Sequence, residues 1–427
     1  VTRLTSLAPA PHRLGYLSAA PTVSTRPDAA SAGPRAHILG VVNGFRGLGW
    51  EVHPWIAGDR LPPGIGGGGV QRLLERVPAA RPAADLARLV LARRSAAAAW
   101  AALAGRVDWV YERFATMQVL GRRFRRAGTP WILETQGLFF YETRVERASV
   151  GWPALARRIE LAAYRDCDVL VAVSEPLRAL LVERCAVPPD KILVVPNAVE
   201  LERFDPALNP ATRPFPDRVP DLTLAFAGGL IAWQALDLLL EAMAELRAEG
   251  VTVGLVVIGD GAMLQPWQEQ VRALGLAGLV RFTGRVPGGE VGRHLAGCDL
   301  GYSGPRLMAI GAMYHSPIKL YEYMAQGLPV LAAGFADATR LVDGRDTGFL
   351  FAPGDRDDLK RALRAAHAAR AGLPAMGAAA RRLVEAEHSW PARVRGMVPA
   401  IAGRLAAAGT GSPASLPPAR LRPEGAA

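Results

Sequence analysis

Short apolar runs of strand length alternate with helix-like stretches along almost the whole chain, and the series occurs twice with a proline-rich break between. In the first series the apolar runs are 14–19, 51–57, 109–111, 130–134, 169–173 and 192–195; in the second they are 222–227, 251–258, 280–283, 300–302, 330–333 and 349–351. The stretches between them include 34–48, 82–104, 116–127, 152–165 and 175–185, then 235–249, 263–274, 317–326, 336–342 and 355–370, all with helical spacing. Strand, helix and strand repeated in this way predict α/β domains, each a doubly wound parallel sheet with helices on both faces. A chain of 427 residues also exceeds what one compact core accommodates. Two Rossmann-like domains are therefore expected, 1–205 and 222–388. The segment 206–221 is expected to be the linker, since Pro206, Pro210, Pro214, Pro216 and Pro220 exclude a continued helix or a central strand. Two more helical stretches, 375–387 and 391–407, follow, and the Gly-, Pro- and Ser-rich tail 409–427 is expected to be disordered.

The segment from Ser316 to Val330 reads as a short helix running into a buried strand. Ser316 suits an N-cap and Pro317 the first helical position, while Gly327 suits the helix end. Lys319 is out of place there, because a cation in the first turn meets the positive end of the helix dipole. Only three of the 50 basic residues are lysines, so lysine is not a habit of this chain. An anion at the helix start would resolve the conflict by sharing the ammonium and the free backbone N–H groups around Ser316, Pro317 and Ile318. The plain alternative is an exposed lysine on a surface turn, since the dipole contributes only about 0.3–1 kcal/mol at exposed sites. Glu322, three residues on, lies on nearly the same helix face. It either pairs with Lys319 or accepts hydrogen bonds from the ribose of a nucleotide whose diphosphate Lys319 holds.

Glycine and small residues stand at strand ends, where parallel sheets bind ligands: Ser31-Ala32-Gly33, Gly228-Gly229, Gly259-Asp260-Gly261 and Ser303-Gly304. Singly each suits a structural turn; together they suggest a nucleotide or phosphate ligand between two facing domains. No expected strand end carries a full G-x-G-x-x-G fingerprint, the glycine run Gly64 to Gly69 following Pro62-Pro63 instead, and no Walker-type loop is present, which argues against an ordinary NAD dehydrogenase or an ATPase. No acidic metal-binding pair is evident, so neither metal nor resident cofactor is expected. Three scattered cysteines without a CxxC indicate neither a zinc site nor a disulfide framework and fit a reduced cytoplasm.

Charge is uneven. Residues 1–200 hold 26 Lys and Arg against 17 Asp and Glu, a surplus of 9, whereas the remainder carries a surplus of only 2. The clusters are Arg93-Arg94, Arg122-Arg123 with Arg125-Arg126, and Arg157-Arg158. Such a half suits a phosphorylated substrate or an anionic membrane face. Few aromatics and no zinc-finger, RNP or basic-zipper pattern speak against nucleic acid. Residues 1–30 lack the apolar core of a signal peptide, and the uncharged run 222–236 is too short to span a bilayer.

In order along the chain, these motifs resemble glycosyltransferase family 4, a retaining group with the GT-B fold. The resemblance rests on Val171-Ala172-Val173-Ser174-Glu175, on Lys191 to Glu200 with Arg203-Phe204, on Val256-Val257-Ile258-Gly259-Asp260-Gly261, on Val280 to Val286, and on Leu320 to Val330. Tyr314 stands where the family usually has a sugar-contacting Glu. Gly229 and Gln234 stand where it usually has an Arg and a Lys on the diphosphate. The Ser-Pro-x-Lys sequence before Glu322 resembles one subgroup, which implies that Lys319 takes over the diphosphate contact, with Arg306 assisting.

The resemblance implies two domains facing across a cleft, a last helix (389–408) crossing back to the first domain, and transfer of a sugar from a nucleotide-diphosphate donor to a hydroxyl with retention. Donor contacts would fall to Gly228, Gly229, Gly259, Val286, Arg306, Ser316, Pro317, Ile318, Lys319 and Glu322. Lys319 and His37 are the catalytic candidates, and Gly33 and Glu134 lie on the acceptor side. A helix-packing role for His37 and a structural role for Glu134 stand beside these. The expected acceptor is a glycan, a lipid-linked intermediate or a small metabolite, and the expected location cytoplasmic, with peripheral membrane docking through the Arg122–Arg126 cluster. A non-catalytic nucleotide-sugar-binding protein and a sugar-nucleotide epimerase on the same fold are the alternatives.

Overall fold

The computed structural model describes residues 12–27, 32–61, 77–145, 147–210, 213–215 and 219–409. Ser31 and the tail from residue 410 lie outside them. The chain forms two units: 1–172, 178–195 and 393–427 in the first, 173–177 and 196–392 in the second.

The first unit contains a six-stranded sheet of β1 (Arg13–Ser18), β2 (Glu51–Ile56), β3 (Trp109–Arg113), β4 (Trp131–Thr135), β5 (Val169–Ala172) and β6 (Ile192–Val194), in the order β2-β1-β3-β4-β5-β6. Every pairing is parallel. The second unit repeats the scheme with β7 (Leu222–Ala227), β8 (Val253–Ile258), β9 (Val280–Gly284), β10 (Leu300–Ser303), β11 (Val330–Ala333) and β12 (Gly348–Phe351), in the order β12-β11-β10-β7-β8-β9. It too is wholly parallel. Each of the twelve expected strand runs carries a strand. The central ones read as unbroken apolar runs because helices cover both faces and leave no side for polar residues. Strand period 2 still sorts them: Leu222, Leu224 and Phe226 of β7 enter one core with Leu239 and Trp267, while Ala225 and Ala227 enter the other with Tyr321 and Tyr323.

Strand order reverses between β1 and β3 in the first sheet and between β7 and β10 in the second. In open parallel sheets the carboxyl ends of strands at such a reversal leave a crevice that no crossover helix fills.

Two expectations need correction. The change of unit falls at Pro196 rather than in the segment 206–221, because residues 197–204 pack on the second unit: Val199 and Phe204 are in its core. The helix expected over 116–127 is only Arg122–Arg126. Met117 adopts a φ of 61° there, and the buried Glu112 carboxylate draws in the N–H groups of Leu120 and Gly121 at 2.7 and 2.8 Å, which bends the backbone out of helical register. The last helix, Trp390–Ala407, passes into the first unit at Arg393. There Arg404 donates to the Ile192 carbonyl at 3.2 Å. Among the described residues no helix is long and apolar enough to cross a membrane.

Candidate functional site

At the β7–β10 reversal the chain leaves β7 through Gly228 and Gly229, both exposed. Gly228 has a φ of +144°, a region that L side chains rarely enter. Gly259, at the end of β8, has a φ of +141°, and a Cβ there would fall 2.0 Å from the Gly228 carbonyl oxygen. Glycine at 259 therefore lets the ends of β7 and β8 touch, and the Gly228 N–H is held by the Ile258 carbonyl at 2.9 Å.

Lys319 approaches this corner from the helix Ile318–Ala325. That helix contributes Leu320, Tyr321 and Tyr323 to one core of the sheet, whereas Phe226 belongs to the other. The Lys319 side chain passes the end of β7 to reach it. Its Nζ lies 3.9 Å from the Phe226 ring centroid and donates to Gln234 Oε1 at 2.8 Å. A Cβ on Gly228 would sit 3.3 Å from Nζ, so the missing side chain leaves the room that the lysine uses. The side chain is 8% exposed, and burial lowers its pKa to about 7, opposed by the Glu322 charge. Neither of the two plain readings of the sequence survives: Lys319 is not exposed, and no ion pair joins it to Glu322. Glu322 is half-buried; burial raises its carboxyl to about 7, while Arg203 and Lys319 pull it down.

The helix starts one residue later than the sequence suggests. Pro317 is the N-cap and has no N–H to give; Ser316 does not cap. Its hydroxyl instead accepts the Asn197 N–H at 3.0 Å and donates to Asp337. Asn197 Nδ2 also donates to the Ser316 carbonyl at 2.6 Å, and Ser174 Oγ to the Tyr314 carbonyl at 2.6 Å. Asp337 in turn accepts from the Tyr321 hydroxyl at 3.0 Å and from Arg340 at 3.1 Å. Three separated sequence motifs are thus tied into one clamp around 314–316. Pro317 and Ile318 are half-buried, so the Lys319 side of the clamp borders open surface at Gly228-Gly229.

The remaining donor-side candidates divide. Val286 packs, half-buried, against the Tyr321 core. Arg306 pairs with Asp237 at 2.6 Å, and its side chain keeps 45% exposure. In the sequence Gln234 stands only as a lost lysine, and no motif marks Phe226 or Asp337, since the contacts come from side chains 16 to 93 positions apart.

In the first unit the structure joins two candidates that the sequence left separate. His37, on the helix Ala32–Gly47, places Nε2 2.6 Å from Glu134 Oε1 on β4, both buried. Glu134 also accepts from the Tyr111 hydroxyl at 2.6 Å and from Gln136 Nε2. Burial alone would raise its carboxyl; His37 and Tyr111 outweigh that and hold it below the ordinary carboxylate range. Gly33, at the start of the same helix, is exposed with nothing near its Cβ position.

Residues 32–203 match the family model "Glycosyltransferase Family 4", and residues 221–368 match "Glycosyl transferases group 1". Each half of the chain is thus similar to a glycosyltransferase model. It is 31% identical over 268 residues to D-inositol 3-phosphate glycosyltransferase of Geodermatophilus obscurus, covering 60% of this chain and 57% of that one. It is 27% identical over 282 residues to the GDP-mannose-dependent alpha-(1-6)-phosphatidylinositol monomannoside mannosyltransferase of Mycobacterium tuberculosis, covering 65% and 70%. The chain spans about half the length of several of the curated relatives it matches, 46% for one of them. Among solved structures, sucrose-phosphate synthase of Thermosynechococcus elongatus superposes with a TM-score of 0.67 at 16% identity, over 93% of this chain and all of that one. Anabaena HepE in complex with UDP-glucose gives 0.60 at 15%, over 93% and 99%. At these identities the likeness establishes the fold, which is GT-B.

Proposed function

We propose that the protein transfers a sugar from a nucleoside-diphosphate donor to a hydroxyl acceptor with retention, and that Lys319 neutralises the departing diphosphate. One observation carries this reading: an almost wholly buried ammonium, with a neutral amide and an aromatic ring for neighbours, at a strand-order reversal beside two exposed glycines. No anion is paired with a cation so placed, Glu322 acting on it only from beyond ion-pair distance, and a diphosphate at the β7 end would supply one. Ile318 and Lys319 add first-turn N–H groups that helical bonding leaves over. The relatives support a nucleotide sugar as donor, since one is named for GDP-mannose and HepE holds UDP-glucose. The reading assigns charge stabilisation to the chain's own groups and needs neither metal nor cofactor. A glycan, lipid-linked or small-molecule acceptor is assigned to the first unit, with His37 held by Glu134 as the polar group available to it.

One observation favours a second reading, binding without turnover. Tyr314 is fully buried, its ring tilted at 53° and 4.8 Å from that of His315, and a tyrosine offers no carboxylate to a donor sugar. The two are separated by incubating the protein with labelled UDP- and GDP-sugars and following both retention and release. Slow donor hydrolysis supports the transferase. Binding with no release supports the second reading, and inversion at C2 an epimerase. Donor affinity undiminished in Lys319→Ala rejects the role given to the lysine.

A further inference from the structure

The outward face of the helix Arg81–Leu103 is apolar and basic together. Leu86, Ala87, Val90, Arg93, Arg94 and Ala97 recur at helical spacing and all are exposed, Leu86 by 55% and Val90 by 42%. A surface helix ordinarily turns such a stripe inward. The helix contains one acid, Asp85, which is fully buried; it accepts the N–H groups of Gly151 and Trp152 at 2.8 and 2.7 Å and pairs with Arg88. Those bonds hold Trp152, 37% exposed, beside the first turn. The helix Pro153–Asp166 begins there and exposes Arg157 and Arg158, while its Glu160 is buried. Asp85 and Glu160 are thus buried, whereas Arg93, Arg94, Arg157 and Arg158 are exposed, Arg157 lying over the Phe140 ring at 5.7 Å.

We infer that this face docks on an anionic lipid bilayer, with the four arginines at the headgroups and Leu86, Val90 and Trp152 entering the interface. The argument is charge complementarity combined with the apolar component: a negatively charged surface with hydrocarbon beneath it satisfies both sets of side chains. A nucleic acid would use the arginines and leave Leu86 and Val90 in water. Three arginines of the cluster expected to dock, Arg122 to Arg126, have contacts within the first unit, although Arg123, Arg125 and Arg126 are exposed. Arg122 pairs with Asp166 at 2.8 Å, Arg125 with Asp168 at 2.9 Å, and Arg123 lies over the Trp100 ring at 4.6 Å. The inference does not rest on the donor reading.

The test is co-sedimentation of the full chain with phosphatidylcholine vesicles containing about 30% phosphatidylglycerol, at near-physiological salt. Binding is expected to fall about thirtyfold in Arg93→Ala/Arg94→Ala, from about 1 kcal/mol per interfacial arginine. Leu86→Ser/Val90→Ser should lose about tenfold, and pure phosphatidylcholine should bind weakly. The control Arg272→Ala/Arg382→Ala removes equal charge from exposed positions of the second unit and should bind like the parent. No binding by the parent overturns the inference, as does equal loss in the control. Retention of RNA in place of vesicles, indifferent to Leu86→Ser/Val90→Ser, overturns it in favour of a polyanion surface.

Discussion

Lys319 Nζ donates to Gln234 Oε1 at 2.8 Å, so the buried ammonium is answered by a neutral amide. An arrangement of this kind costs stability in the free protein and gains it back when an anion arrives. Burial lowers the folded pKa to about 7 from 10.5. The penalty is therefore largest below about pH 7, where the folded lysine is also charged, and fades as pH rises toward 10.5. Lys319→Met should raise the midpoint of thermal unfolding at pH 6.5, by about 1–3 kcal/mol in stability. The same variant should weaken UDP or GDP binding by about 10- to 100-fold, since a charge-assisted contact contributes about 1.5–3 kcal/mol. Calorimetry reads both quantities. A variant that loses stability and keeps its nucleotide affinity contradicts the assignment.

If Lys319 supplies the charge that residue 234 lacks, the two positions should be interchangeable. Lys319→Gln alone should bind nucleoside diphosphate poorly. Adding Gln234→Lys should recover most of the affinity, because the new ammonium starts within hydrogen-bonding distance of the old one. Gln234→Lys in the parent should destabilise the protein, since two ammonium groups would share one desolvated site. Titration with UDP and GDP across the four proteins checks this. Independent, additive losses would show that the residues do not exchange roles.

Ser316 matters for placement. Its hydroxyl joins the Asn197 N–H to the buried Asp337 carboxylate. Ser316→Ala leaves a donor and an acceptor without partners and should cost about 1–3 kcal/mol. Ser316→Thr keeps the hydroxyl and should cost less. The clamp fixes the turn that carries Lys319, so Ser316→Ala should also weaken nucleotide binding by several-fold at temperatures where the protein stays folded. Unchanged affinity would make the clamp structural only.

Architecture was legible in the sequence because buried parallel strands demand uninterrupted apolar runs, and twelve such runs separated by helical spacing leave little choice. Strand ends were legible to within a residue or two, as at Leu222–Ala227 and Val330–Ala333. What remained hidden depends on where long side chains turn. Lys319 read as out of place on its helix, but only the three-dimensional fold shows it passing Gly228 to the opposite face of the sheet. The short helix Phe139–Val145 was not expected. Its N-terminal N–H groups at Phe139 and Phe140 are met by Glu160, 20 or 21 residues away, at 2.9 and 2.7 Å, and no local capping residue marks it. Glu134 and His37 looked like independent polar residues because 97 positions separate them.

Glu160 makes the first unit's stability depend on pH. Burial raises its carboxyl to about 8, against the hydrogen bonds from Tyr164 and the two backbone N–H groups that lower it. A raised carboxyl favours the folded state when protonated. Its contribution is complete below about pH 4.5 and is lost as pH climbs through about 8. The parent's unfolding midpoint should therefore decline from pH 5 to pH 9. Glu160→Gln, which cannot ionise, should show a shallower decline even if it is less stable throughout. Parallel curves would exclude Glu160 as the source.

Glu134 has the opposite sign. Its carboxyl is held low against the cost of burial, chiefly by His37 and then by Tyr111. The stability it contributes is present above the unfolded pKa of about 4.5 and disappears as pH falls through the folded value. His37→Ala removes the principal partner and leaves a buried carboxylate with hydroxyl and amide partners and the Arg113 charge. At pH 7 this should cost about 3–5 kcal/mol, the range for breaking one half of a buried ion pair. Glu134 would then protonate more readily, so the variant should lose less stability than the parent on going from pH 6 to pH 3. His37→Gln restores a donor without a charge and should fall between the two. Unfolding midpoints measured across that range decide it. An acid limb of equal steepness in parent and His37→Ala would mean that the 2.6 Å contact holds no charge pair.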